Sequence, residues 1–341
     1  MAVNLKELAS SLGLSQTTVS RALNGYPEVN EATRVRVAEA AARLGYRPNA
    51  NARRLATGQA GAIGLVLPSG AAIQFGPHEN EYISGVAARL ARDEIDIVLS
   101  PIQDNDEIPV FRRLIGSKRV DALILNSPRL CDERVSFLLD AGFPFVLHGR
   151  TDVGHTHAWL DIDNGGAFYR ATSHLLDLGH RHIGLINGPA GMTFAEHRER
   201  GYRDALTGRG LIPNPRLIAN GLFTDEIGFR FTQSFLEREP RPTAILAGSM
   251  MTALGVFRAI RSAGLTLGKD VSMIAHDDVF PYLNADNMVP SMSTTRSSIR
   301  AAGERVAELV LQILEGRPAD EIHELWPVEL VLRESTGPAP V

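Results

Sequence analysis

Two patterns of apolar and polar positions divide the chain. Up to about residue 60, short apolar stripes recur at helical spacing; beyond it, short apolar runs alternate with amphipathic segments. Asn4 followed by Glu7 has the spacing of a capping box, and Leu5, Leu8, Ala9 and Leu12 follow on one helical face until Gly13. Ser15 is suited to cap a second helix, Gln16 to Asn24, which Gly25 closes. Asn30 is suited to cap a third, running through Val35, Ala38, Ala42 and Leu44 to Gly45. A gap of only about three residues between the first two helices predicts a helix-turn-helix.

From residue 61 the apolar runs read as buried parallel strands: Ile63–Leu67, Ile95–Leu99, Ala122–Leu125 and Phe143–Leu147, with helical segments such as Tyr82–Ala91 and Val110–Ile115 between them. The pattern then recurs. Ile183-Gly184-Leu185-Ile186 echoes Ile63-Gly64-Leu65-Val66, and Arg216–Ala219, Thr243–Leu246 and Val271–Ile274 follow at similar gaps. A repeat offset of roughly 120–128 residues is what a duplicated lobe produces. The fold class expected is therefore an all-α helix-turn-helix headpiece with a hinge helix, followed by a bilobed α/β domain of two doubly wound parallel sheets.

Charge sharpens the division. Residues 1–60 hold eight Lys and Arg against four acids, while the whole 341-residue chain carries −4, so the body is acidic. A basic head on an acidic body points to a local polyanion site; chance clustering is the alternative. The second helix supports the first reading. Thr17, Ser20, Arg21 and Asn24 share one face with Gln16 at its edge, giving amide, hydroxyl and guanidinium groups and no acid. Such groups bond base edges and phosphates in a major groove, though a plain solvated face is the alternative. The stretch from Asn49 to Ala56 is about two turns long, too short to be stable as an isolated helix. We expect it to fold on DNA, with Leu55 as a minor-groove wedge beside Arg53 and Arg54. A linker with one incidental leucine is the alternative.

Other classes are less well supported. No run approaches the roughly 18 apolar residues of a membrane span. The start lacks the basic and apolar regions of a signal peptide, so a cytoplasmic protein with no membrane partner is expected. Cys131 is the single cysteine, which excludes an intrachain disulfide and a CxxC metal site. Patterns such as GxSxG, GxxxxGK[ST] and HExxH are missing, so no enzyme, cofactor or metal is expected. His155-Thr156-His157 and His180-Arg181-His182 are read as surface histidines.

Leu5-Lys6-Glu7-Leu8-Ala9, Gly13 to Asn24, Thr33-Arg34 and Leu44 to Asn49, with the Arg53-Arg54-Leu55-Ala56 stretch, together resemble the headpiece of the lactose/galactose repressor (LacI/GalR) family. The body resembles the bilobed periplasmic sugar-binding fold that serves as that family's effector domain. The resemblance covers nearly the whole chain, to about Thr336. It implies a dimeric transcription regulator, with recognition helices on the two half-sites of a pseudo-palindromic operator and paired hinge helices at its centre. The implied DNA-binding set is Ser15, Gln16, Thr17, Thr18, Ser20, Arg21, Asn24, Tyr46, Asn49, Arg53, Arg54 and Leu55. Lys6, Arg34, Arg36 and Arg47 are further candidates for phosphate contact. The domains expected are a headpiece (1–48), a hinge helix and linker (49–60), a first lobe (61–161 plus about 292–319) and a second lobe (162–291 plus about 320–337). Residues Leu325 to Ser335 match the family's last strand, and no heptad tail follows, so a homodimer is expected.

In the cleft, the resemblance implies that Arg198 and Asp277 bind effector. Asn126, His148, Phe223 and Ser249 occupy matching strand ends, and Ile299 is a weaker candidate for the wall. The loop 69–79 is longer than is usual in the family and brings His78 and Glu79 where aromatics often stand, leaving Phe75 to supply an aromatic wall. The function expected is a sequence-specific regulator, a repressor of carbohydrate-utilisation genes, controlled allosterically by a sugar or glycoside. The alternatives are a sugar-binding module without regulatory DNA binding, and a co-repressor-dependent regulator of non-sugar metabolism.

Overall fold

The computed structural model describes residues 3–23, 25–46, 58–68, 76–102, 106–151, 153–154, 156–276 and 279–340. The chain divides into a helical headpiece and an α/β body.

In the headpiece, α1 (Leu5–Leu12), α2 (Gln16–Leu23) and α3 (Glu31–Leu44) follow their local signals. Asn4 and Glu7 form the reciprocal capping box, with bonds of 2.9 and 3.0 Å. Gly13 and Gly45 end their helices at φ 65° and 66°, a left-handed conformation that costs glycine little. Leu8, Val19 and Val37 centre the core, with Ala9, Leu12, Ala22, Val29, Ala40 and Ala41 around them. The apolar positions read along α3 are not the buried ones. Val35, Ala38, Ala42 and Leu44 are exposed, and Val37, Ala40 and Ala41 face the core.

The body contains two six-stranded sheets. The first runs β11-β5-β4-β3-β1-β2, all parallel: β1 is Ala62–Pro68, β2 Asp96–Ile102, β3 Ala122–Asn126, β4 Phe145–His148, β5 Trp159–Ile162 and β11 His323–Trp326. The second runs β12-β10-β9-β8-β6-β7: β6 is Ile183–Asn187, β7 Ile218–Asn220, β8 Ala244–Ala247, β9 Ser272–His276, β10 Ser293–Arg296 and β12 Glu329–Val331. Among the described strands of this sheet, β12 alone is antiparallel to its neighbour. The helices are α4 (Pro77–Leu90), α5 (Ile108–Gly116), α6 (Glu133–Asp140), α7 (Asn164–Asp177), α8 (Thr193–Thr207), α9 (Asp225–Leu236), α10 (Met250–Ser262) and α11 (Ile299–Leu314). Central strands such as β8 and β9 are buried throughout, which is why their sequences read as apolar runs rather than alternations.

Helix pairs hold each lobe at backbone contact. A methyl placed on Gly85 of α4 would lie 2.0 Å from the Arg300 carbonyl oxygen of α11, and one on Gly303 would lie 2.3 Å from the Tyr82 carbonyl oxygen. Ile299, a candidate for the cleft wall, is buried in the first lobe's core instead.

The chain crosses between the lobes three times: after β5, after β10 and between β11 and β12. The returns differ from those expected. Strand β10 lies in the second sheet, so the first lobe resumes at α11 rather than near 292. Strand β11 lies in the first sheet, so the second lobe resumes at β12 rather than near 320. The segment read as one last strand is divided at Pro327, which cannot donate a ladder hydrogen bond. Two buried histidines also correct the reading of the HxH pairs. His180 bonds Thr243 Oγ1 at 2.8 Å, Ser272 Oγ at 3.1 Å and the Gly337 carbonyl at 3.0 Å, fastening the C-terminal segment to the second lobe. His157 is buried and stacks on Phe145. Of the other two, His182 is exposed and His155 lies outside the described residues.

Candidate functional site

The headpiece presents α2 on a short, well-capped turn. Ser15 Oγ accepts from the Thr18 N–H at 3.0 Å and pairs with the Thr18 hydroxyl at 2.8 Å, so both side chains serve the helix start. Val19 and Ala22 anchor the inner face. Gln16, Thr17 and Arg21 project into solvent, and Ser20 is half-buried. Tyr46 packs against the headpiece core, and burial raises its phenol pKa. Arg34 pairs with Glu31 at 2.9 Å, and Arg36 donates to the Leu12 carbonyl at the end of α1. Asn24, Arg47, Asn49, Arg53, Arg54 and Leu55 lie outside the described residues.

The body brings most of the expected cleft residues into two groups, one from each lobe. In the first lobe, Asn126 and His148 end the paired strands β3 and β4 in register. His148 stacks on Tyr82 of α4, ring centroids 4.8 Å apart. His78 stands one turn before Tyr82 on the same helix; His78 and Glu79 are exposed in its first turn. The Tyr82 hydroxyl and Asn126 Oδ1 are buried oxygens with no hydrogen-bond partner among the described residues, a costly state that a ligand would relieve. Burial, with a smaller contribution from the His78 charge, pushes the His148 pKa down to about 3. Its ring is neutral at physiological pH.

A buried ion cluster shapes the turn after Asn126. Arg134 pairs with Glu107 at 2.7 Å and Asp132 at 2.6 Å, and also donates to the carbonyls of Asn126 and Ser127. Burial alone would raise the Asp132 pKa; the Arg134 guanidinium outweighs it and holds the carboxyl below its ordinary range.

In the second lobe, the centre is Arg198 of α8, 5% exposed. Its guanidinium carbon lies 5.2, 4.9 and 5.9 Å from the ring centroids of Phe168, Phe194 and Phe223. Nε donates to Asn164 Oδ1 at 2.7 Å, and Nη1 donates to the Gly248 carbonyl at 3.0 Å. Ser249, next in the chain, caps α10 by accepting from the Thr252 N–H. His276 at the end of β9 is buried, and its Nδ1 bonds Thr295 Oγ1 at 2.6 Å. Burial first, then the charges of Arg198 and His78, drive its pKa well below the ordinary value. His78 thus acts on an imidazole in each lobe. The lobes also meet directly: the Pro128 carbonyl accepts from the Thr193 N–H at 3.0 Å and its hydroxyl at 3.2 Å.

Phe75 and Asp277 lie outside the described residues. Tyr82, Asn164, Phe168 and Phe194 are residues that the sequence reading missed. Tyr82 could have been found from its i+4 spacing to His78, which puts the two on one helix face. Asn164 carries no comparable local signal, because its partner Arg198 is 34 residues away.

A capped helix without acids, carried with a two-lobed body that holds a buried guanidinium among aromatic rings in one lobe and neutral imidazoles in both, defines a class: DNA-binding regulators built on a periplasmic-binding-protein-like body. The model for bacterial regulatory proteins of the lacI family matches residues 4–49, and that for the periplasmic binding protein-like domain matches residues 172–336. The chain is 48% identical over 341 residues to the HTH-type transcriptional regulator AglR of Rhizobium meliloti (strain 1021), covering 100% of this chain and 96% of the relative. The chain belongs to the LacI family of DNA-binding transcriptional regulators and is not an enzyme. Among solved structures, it is similar to the Lac repressor dimer bound to operator and the anti-inducer ONPF, with TM-score 0.82, 26% identity and coverage of 99% and 100%. It is also similar to the transcriptional regulator CelR–cellobiose complex, with TM-score 0.73, 28% identity and coverage of 98% and 99%.

Proposed function

We propose that this regulator is a cytoplasmic homodimeric repressor of carbohydrate-utilisation genes, released from a pseudo-palindromic operator by a sugar or glycoside in the interlobe cleft. The observation that carries the ligand class is the set of uncharged polar groups in the first lobe's group together with the Arg198 group of the second. Among the described residues, buried Asn126 Oδ1 and the Tyr82 hydroxyl have no partner, and the imidazoles of His148 and His276 stay neutral. Such groups pair with ligand hydroxyls, while the rings of Phe194 and Phe223 suit the apolar face of a sugar. The similarity to a CelR structure holding cellobiose supports a disaccharide-sized ligand. The implied base-reading set is Gln16, Thr17 and Arg21, with Leu55 inserted at the operator centre.

The test selects duplexes from a random DNA pool with the full-length protein, then titrates the enriched operator with cellobiose and a panel of other disaccharides by fluorescence anisotropy. We expect a pseudo-palindrome and at least one sugar that weakens binding. In Arg198→Met the response falls by at least about tenfold in sugar concentration, with operator affinity in the absence of sugar retained. A response in Arg198→Met equal to the parent's, or no response to any sugar, overturns the effector assignment.

A further inference from the structure

We propose that Asn164 is a positioning residue: it fastens the Arg198 guanidinium to the first crossover between the lobes, so that occupation of the cleft is felt at that crossover. Asn164 is 2% exposed and begins α7, two residues after β5 leaves the first sheet. Its Oδ1 accepts from Arg198 Nε at 2.7 Å. The orientation of the amide is fixed from the other end, where Nδ2 faces the Ile162 carbonyl at 3.4 Å and Asp161 Oδ1 at 3.5 Å. Both are acceptors, so the amide cannot turn its NH2 toward Arg198 without placing oxygen against oxygen. Asp161 belongs to the first sheet, and its other oxygen accepts from Arg150 Nε at 2.8 Å. Arg150 follows His148 by two residues. A continuous series of polar contacts therefore runs from the first lobe's strand end, through the crossover, to the second lobe's arginine.

The backbone makes this connection stiff. A methyl on Gly201 of α8 would lie 2.1 Å from the Gly165 carbonyl oxygen, so α8 and the start of α7 touch through their main chains. Arg198 cannot be drawn toward a ligand without straining its bond to the crossover or moving the crossover with it. The choice of amide also matters. A carboxylate at 164 would pair with the guanidinium as a counter-charge, whereas the amide oxygen directs it without adding charge.

The test has one arm that needs no ligand. In full-length protein labelled with 15N-arginine, the Arg198 Nε–H resonance is assigned by its disappearance in Arg198→Met. We expect slow exchange of that proton with solvent in the parent, exchange at least about tenfold faster in Asn164→Leu, and retained slow exchange in Asn164→Asp, which keeps an acceptor at the same place. Equal exchange in the parent and Asn164→Leu overturns the proposal, as does fast exchange in Asn164→Asp; the latter keeps the test decisive if the leucine variant does not fold. The second arm rests on the effector reading and uses cellobiose as the probe. Asn164→Leu should weaken its binding by about tenfold and leave sugar-free operator affinity unchanged. A parallel loss of both affinities overturns the positioning role in favour of a merely structural one. If the parent itself does not bind cellobiose, that choice of effector fails, and the exchange arm still decides the role of Asn164.

Discussion

Lowering the pH from 7.5 to 5.0 should destabilise the body through His148, and the replacement His148→Phe should remove that part of the loss. His148 has a folded pKa of about 3, set by burial and then by the nearby positive charge of His78. In the unfolded chain its pKa returns to about 6.5. The folded state therefore holds the ring neutral while the unfolded state takes up a proton below 6.5. Stability is whole above that value and falls as the pH drops from 6.5 towards 3. At pH 5.0 the unfolded state has gained about 1.5 pH units of proton binding, or at most about 2 kcal/mol for this half-buried ring. For a body of this size, 1 kcal/mol corresponds to roughly 2–4 °C, so the wild type should lose up to about 4–8 °C of Tm to this one group. Phenylalanine keeps a ring against Tyr82 and does not titrate. His180 and His276 also have lowered pKa values, but they are present in both proteins and cancel in the comparison. Differential scanning calorimetry of parent and variant at both pH values reads the difference directly. Equal drops in Tm would show that His148 takes up its proton in the folded state as readily as in the unfolded one, and would refute the description of the cleft wall as neutral.

Two further expectations concern the other ends of the molecule. Arg21→Ala should relax base preference at one operator position by about 1–3 kcal/mol, measured by anisotropy on single-base operator variants; a uniform loss across all variants would make Arg21 a phosphate contact instead. Gly85→Ala should destabilise the body by about 1–3 kcal/mol, seen as a lower urea midpoint, because its methyl would meet the Arg300 backbone at 2.0 Å and α4 and α11 would have to part. An unchanged midpoint would mean that the two helices slide apart without cost.

Coupling between cleft and headpiece, as proposed, needs an effector with different affinity for two lobe arrangements; contact alone shifts nothing. The direct hydrogen bonds from Thr193 to Pro128 are among the contacts that can differ between such arrangements. They lie close in sequence to both candidate groups, two residues past Asn126 and five before Arg198.

Local signals in the sequence were sufficient for the three headpiece helices. The Asn4–Glu7 box, the Ser15 and Asn30 caps and the left-handed Gly13 and Gly45 involve partners only a few residues apart, so they act before any tertiary contact forms. The duplicated strand pattern gave the two α/β lobes for the same reason: a strand covered on both faces must be apolar throughout. The acid-free face of α2 and the strand-end positions of Asn126 and His148 were likewise legible, whereas Arg198, expected just past a strand end, lies within α8. What the sequence left open involves partners far apart along the chain. The buried stripe of α3 is Val37, Ala40 and Ala41 because α1 and α2 press on that side, a choice the mixed apolar pattern of α3 does not contain. Strands β11 and β12 belong to different sheets because they pair with β5 and β10, strands far away along the chain, a pairing that the local apolar pattern does not contain. The burial of His157 and His180, the stacking of Tyr82 under His148 and the hold of Asn164 on Arg198 arise only once packing brings these groups together and removes water, which turns ordinary polar side chains into groups that must find partners.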